Sequence, residues 1–148
     1  MNRFQDWLNQ ADQDINAAID SMKNEHYEWS CFQAQQAAEK ALKALLFFMN
    51  IDSWGYSLIH LLKEWKRVVE EENSEEDSKE IDPNRFKDLN EKCQELDRQY
   101  IQSRYPNGFV SGFPAEYYNK KKADECINNA KDVIRFAKEK VESVPPPE

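Results

Sequence analysis

The segment "CFQAQQAAEKALKALL" (31–46) constrains the fold more than any other stretch of the chain. Read as a helix over about 27–50, it places Ala34, Ala38, Ala41, Leu45 and Phe48 on one stripe. Ala37, Leu42, Ala44, Leu46 and Met49 carry apolar surface around most of the remaining circumference. Polar residues are confined mainly to a narrow line at Gln33, Gln36, Lys40 and Lys43. A helix of this kind must be covered on several sides, so it predicts the central member of a bundle. Its alanines favour helix and let neighbouring backbones approach closely.

Four further helices follow from three- and four-residue apolar steps. The first spans about 3–24, with Phe4, Leu8, Ala11, Ile15, Ala18 and Met22 inward and Trp7 widening the stripe. Another spans about 56–72, with Leu58, Leu61, Leu62, Trp65, Val68 and Val69. The next covers about 83–103. Pro83 suits its first turn, and Phe86, Leu89, Cys93, Leu96 and Tyr100 form a stripe whose next step reaches Arg104. The last covers about 115–142, with Ala123, Ile127, Ala130, Ile134, Ala137 and Val141 in register. Only three glycines occur in 148 residues, which leaves little for tight hairpins. No alternating strand pattern and no internal repeat is present. The expected fold is all-α, an up-and-down antiparallel bundle of four to five helices, mostly short-linked. One domain is expected over 1–142, with a Pro-rich disordered tail at 143–148.

The net charge of −8 is concentrated in one place. The run "EEENSEEDSKEID" (70–82) carries eight acids and one lysine and leaves the remainder near neutral. It is read as a solvated loop. Such a chain is a poor general binder of DNA backbone. Three scattered cysteines, Cys31, Cys93 and Cys126, form no CxxC motif and suit a reduced cytoplasmic protein. The N-terminus starts directly in a helical pattern, so no leader peptide is expected. The densest apolar run is too short to span a bilayer. With only His26 and His60, and no ligand spacing among His and Cys, neither a metal nor a cofactor is expected.

The remaining chemistry lies in polar groups beside apolar stripes. Asp14 adjoins Ile15. Glu39 and Lys43 stand four apart in the order that favours a helix ion pair. His60 precedes the Leu61-Leu62 pair and reads first as a helix-end residue. Arg104 stands one step beyond Tyr100, just before the helix stop Pro106-Asn107-Gly108. An inward guanidinium at a bundle end requires a carboxylate, carbonyl groups or an anionic ligand.

These residues, taken in order, resemble HEPN domains, the "higher eukaryotes and prokaryotes nucleotide-binding" family. Trp7, Ala11, Asp14-Ile15 and Ala18 look like its first helix. The 31–46 segment is similar to its most recognisable stretch. "HLL" (60–62), "RYP" (104–106), Tyr118 and Ala123 look like the motifs that follow. The resemblance implies a bundle of four or five helices, usually homodimeric, and minimal nucleotidyltransferases as partners. It implies either a metal-independent ribonuclease with an Arg-x4–6-His motif or a binding module that lacks it. No arginine here has a histidine in that window, so no imidazole is placed to activate a ribose hydroxyl.

The reading is therefore a non-catalytic cytoplasmic module that binds a nucleotide or a nucleotidyltransferase partner. Lys40, Lys43 and Arg104 are the expected phosphate contacts, and Tyr105 and Tyr118 the expected stacking or hydroxyl contacts. Asp14, Glu39 and His60 are the supporting polar groups. Two alternatives stand beside it. One is a toxin-type RNA endonuclease that uses His60 with Arg104. The other is a structural dimerisation module in which Arg104 pairs with Asp14 or Glu39.

Overall fold

The structure, a computed structural model, describes residues 2–72 and 81–143. Most of the acidic run (73–80) and the Pro-rich tail from 144 onward lie outside the described residues. Five long helices form the body: α1 (Phe4–Lys23), α2 (Tyr27–Phe48), α3 (Leu58–Glu72), α4 (Pro83–Asp97) and α7 (Lys120–Glu142). Two one-turn helices, α5 (Gln99–Gln102) and α6 (Pro114–Tyr117), lie between α4 and α7, with a 3-10 turn at Pro106–Gly108. No strand occurs among the described residues.

The central position of α2 is borne out. It packs on α1, α7 and α3, and the predicted stripe Ala34, Ala38, Ala41, Leu45 and Phe48 is buried. Gln33, Gln36, Lys40 and Lys43 remain partly exposed, as the polar line requires. Antiparallel packing of α1 on α2 is recorded by paired contacts along both helices. The Ser30 hydroxyl donates to the carbonyl of Ala18, Asp14 meets Lys40, and Phe4 meets Phe48 edge-on.

The link between α2 and α3 is not a hairpin. After Asn50, which takes a left-handed φ of 61°, the chain runs back along α2 until the Tyr56 carbonyl accepts from Gln35 Nε2. α3 therefore starts beside the N-terminal half of α2 and runs in the same sense. Its exposed first-turn amides are bound by Asp97, at the end of α4. The Asp97 carboxylate accepts from Leu58 N at 2.7 Å, Ile59 N at 3.1 Å and the Ser57 hydroxyl at 3.2 Å. A side chain from a distant helix thus caps the two first-turn amides that the local cap, Ser57 accepting from His60 N at 3.4 Å, does not reach.

The expected single helix over 83–103 is broken at Arg98. The inward register after Leu89, Cys93 and Leu96 continues to Gln99 and Ser103, which are both buried. Tyr100 and Arg104 move to the flank. The expectation that Arg104 extends the buried stripe is corrected accordingly: a three-residue step from Leu96 to Gln99, not a four-residue step to Tyr100, carries the buried face onward. The last predicted helix is also shorter, since Tyr118 and Asn119 are extended before α7 and the Asn119 side chain caps it at Lys122 N.

One end of the bundle gathers the C-terminus of α1, the N-termini of α2, α3 and α7, and all of α5 and α6. Apart from Trp54, every large hydrophobic side chain that is exposed among the described residues belongs to these segments or to the links beside them: Trp29, Tyr56, Ile101, Tyr105, Val110, Phe113 and Tyr117. These side chains concentrate exposed apolar and aromatic surface at this end.

Candidate functional site

Arg104 forms the centre of this end. α5 has ended by residue 103, so the Tyr100 carbonyl has no helical partner of its own. Arg104 supplies one, with Nε at 2.9 Å and Nη2 at 2.5 Å. The guanidinium then lies over three rings, 4.2 Å from the centroid of Phe32, 4.7 Å from Tyr100 and 5.0 Å from Tyr105. Tyr56 stacks flat on Tyr100, with centroids 3.9 Å apart and planes 6° apart. Trp29 meets Phe32 edge-on at 6.0 Å. The result is a cation set into aromatic rings at the surface, held in place by a carbonyl and by packing. Each cation–π contact at an exposed site contributes about 0.5–1 kcal/mol. No carboxylate lies within 4.0 Å of Arg104 among the described residues.

The carboxylates proposed as partners of Arg104 are engaged elsewhere. Asp14 binds Lys40 and accepts from Gln10, across the α1–α2 seam. Glu39 binds Lys43 at 3.2 Å within α2, and both side chains are largely buried. The Glu39 Oε1 atom is buried without a hydrogen-bond partner. The pairing of Arg104 with Asp14 or Glu39 is thus corrected, because the flank position of Arg104 points it at rings and a carbonyl instead. Lys43 also approaches the Trp7 ring at 6.0 Å. Lys40 and Lys43 serve the α1–α2 region and are not brought to the Arg104 cluster.

Tyr105 joins Arg104, as expected from their adjacency. Tyr118 does not. It lies on the other flank of α5, where its hydroxyl donates to Gln99 Oε1, and burial pushes its phenol above the ordinary value. His60 lies in the first turn of α3 and makes no side-chain hydrogen bond among the described residues. The candidate set therefore divides into three places: Arg104 with Tyr105, Tyr118 near α7, and the Lys40 and Lys43 ion pairs.

Sequence reasoning missed Phe32, Tyr56 and Tyr100 as surface groups. One signal was present: Trp29 and Phe32 continue the polar line of Gln36, Lys40 and Lys43 at three- and four-residue steps. Large aromatics on the solvent line of a helix indicate exposed rings. Tyr56 carries no such signal, since its place depends on the returning segment before α3.

The second feature of this end is a cavity of about 640 Å³ between α5, α6 and the start of α7. Arg98, Gln102, Phe109, Tyr117, Lys121 and Lys122 are among its lining residues. No group of three or more His, Cys, Asp or Glu side chains suited to a metal ion occurs among the described residues. None of the described helices is long and apolar enough to cross a membrane.

The described residues thus form an all-α bundle with a cation–aromatic surface at one end. The family is given by comparison: residues 4–141 match the model of the HEPN domain, and the chain belongs to the HEPN family. Structural comparison agrees. The crystal structure of TT1696 from Thermus thermophilus superposes with a TM-score of 0.80 at 36% identity, over 95% of this chain and 99% of that one. ST0689, an archaeal HEPN homologue, gives 0.71 at 35% identity over 95% and 99%. An HEPN domain protein of Thermotoga maritima gives 0.67 at 28% over 93% and 98%. Among curated proteins, the "Putative toxin MJ1304" of Methanocaldococcus jannaschii is 27% identical over 135 residues, 90% of this chain and 84% of that protein.

Proposed function

We propose that this HEPN domain is a non-catalytic binding module and that the Arg104 surface receives a nucleotide. The observation that carries the proposal is the setting of Arg104 itself. Its charge is neutralised by no carboxylate within 4.0 Å among the described residues, and rings of Phe32, Tyr100 and Tyr105 lie against it. Guanidinium donors beyond those on the Tyr100 carbonyl suit a phosphate oxygen. Exposed Trp29, Tyr56 and Tyr105 suit the face of a base. The same residues offer no general base, and no Arg-x4–6-His motif exists in the chain. Free thiols at all three cysteines suit a reducing, cytoplasmic setting.

Calorimetric titration with ATP, GTP and the nucleoside monophosphates tests this reading. Saturable heat and a raised Tm are expected. Titrations that give neither would remove the basis for nucleotide binding.

Two features support a protein partner as well. The curated relative carries the name of a toxin, which fits a partner of antitoxin type. Exposed Val110 and Phe113 add apolar surface at the same end of the bundle. A minimal nucleotidyltransferase is the partner that the family resemblance favours, and a homodimer is the expected state of the domain alone. Light scattering coupled to gel filtration reads the second point, and a monomeric mass at all concentrations would oppose it.

The same relative favours a second reading, an RNA endonuclease of toxin type. It would draw on His60 and Arg104. Cleavage of a mixed RNA pool that is lost in His60→Ala would establish it, and no cleavage at high protein concentration would retire it.

A further inference from the structure

We infer that Asn107 is a modification site, where the side-chain amide hydrolyses spontaneously and sets a carboxylate in the loop that carries Arg104. No other asparagine in the chain is followed by glycine. Asn107-Gly108 lies in the 3-10 turn Pro106–Gly108, directly after Arg104-Tyr105, and both of its residues are exposed.

The chemistry is intramolecular and needs only water. The backbone nitrogen of Gly108 gives its proton to solvent base and attacks Cγ of Asn107. The bond between that nitrogen and Cγ forms, the Cγ–Nδ2 bond breaks, and ammonia leaves a cyclic succinimide. Water then opens the ring. Opening at Cγ gives aspartate. Opening at the main-chain carbonyl gives isoaspartate, whose backbone runs through the former side chain and is longer by one carbon. In balance, an amide and a water become a carboxylate and an ammonium ion. Glycine favours the attack, because it has no Cβ to hinder the nitrogen and leaves the backbone free to turn.

The fold leaves both reacting groups loosely held. The Asn107 side chain makes no hydrogen bond among the described residues. Gly108 N reaches the Tyr105 carbonyl only at 3.5 Å, beyond the ordinary hydrogen-bond range. Other asparagines are better restrained. Asn119 accepts from Lys122 N at 2.9 Å, and Asn128 and Asn129 lie inside α7, where the ladder holds the backbone nitrogens. Packing also favours glycine at 108, since a Cβ there would stand 3.3 Å from Gln102 Cγ.

The turn is anchored at both ends. Arg104 is held on the Tyr100 carbonyl, and Phe109 is stacked on Tyr117 at 4.2 Å. The extra carbon of isoaspartate falls between these anchors and shifts one against the other. Aspartate keeps the backbone length but brings a carboxylate close in sequence to a guanidinium that has none within 4.0 Å among the described residues. Both products oppose an anion at Arg104. That consequence rests on the proposed role of Arg104, whereas the modification itself does not.

Peptide mass spectrometry of the full chain aged in mildly alkaline buffer, with isoaspartate methyltransferase labelling, reads the site. Conversion at Asn107 is expected to be at least about tenfold faster than at Asn119 or Asn128, and to accelerate as pH rises. A rate at Asn107 no higher than at Asn119 would overturn the site. Calorimetry with AMP then compares Asn107→Asp with Asn107→Ser. The aspartate variant is expected to bind at least about threefold more weakly, with a smaller difference at high salt. If the two variants bind AMP equally, the effect on Arg104 is refuted while nucleotide binding there stands. If neither they nor the wild type bind AMP, the reading of Arg104 falls, and the mass measurement alone decides the site.

Discussion

Asp97 reaches from the end of α4 to the start of α3, where its Oδ1 accepts from Leu58 N at 2.7 Å. Its other oxygen accepts from Ile59 N and the Ser57 hydroxyl. Together with Ser57, whose hydroxyl accepts from His60 N, this carboxylate fixes where α3 begins. Tyr56 lies just before that point, and Tyr100 just after Asp97. The flat stack of Tyr56 on Tyr100, and with it the ring under Arg104, is a consequence of the cap.

Asp97→Ala is therefore expected to lower unfolding stability by about 2 kcal/mol, at the upper end for a lost cap because three donors are involved. Asp97→Asn should recover part of this. Urea denaturation measures the cost. A loss below a few tenths of a kcal/mol would show that α3 does not depend on the cap.

The Lys43–Glu39 pair makes a different expectation from an exposed ion pair. Both side chains are largely buried, and Glu39 already has one unpartnered oxygen. Lys43→Met should leave a buried carboxylate without its cation and cost on the order of 3 kcal/mol. Adding Glu39→Leu to that variant should restore most of the loss. The comparison is read by denaturation of the two variants. A double variant less stable than the single one would contradict it.

All three thiols are buried, and burial pushes the Cys93 thiol up to about 12. Hydrogen bonding with the Cys126 thiol, together with burial, pushes Cys31 up as well. Reaction with a thiol reagent at neutral pH should be slow in the native protein and rapid in denaturant. The pH dependence follows from the same shift. Well below pH 9, Cys93 is protonated in both states and contributes no pH dependence. Between about 9 and about 12 the unfolded chain ionises its thiol while the native one does not, so stability should fall as pH rises. Cys93→Ala should flatten that fall in a Tm profile. An unchanged alkaline slope would remove Cys93 as its cause.

The helices were legible in the sequence because burial here follows three- and four-residue steps. The apolar girth of α2 pointed to its central place, and Ala34, Ala38 and Ala41 are completely buried. What was not legible depends on contacts between distant segments. The break at Arg98 shifts the buried register from Tyr100 to Gln99, which spacing alone does not distinguish. The carboxylates of Asp14 and Glu39 were visible as candidates, but their choice of Lys40 and Lys43 over Arg104 is decided by which face each helix turns inward. The cavity is assembled from α5, α6 and α7, so Lys121 reads in sequence as one lysine in a run of three.

Arg104→Met tests the central claim most directly, with stability and nucleotide binding measured on the same variant. Because Arg104 has cation–π contacts and a carbonyl rather than a buried carboxylate, the stability cost should be about 1–2 kcal/mol. That is less than the roughly 3–5 kcal/mol typical of a broken buried ion pair. Nucleotide binding by calorimetry should fall at least about tenfold, the loss of one charge-assisted contact. A variant that unfolds far more readily yet, while folded, binds nucleotide as the wild type does would contradict the account and make Arg104 a structural residue.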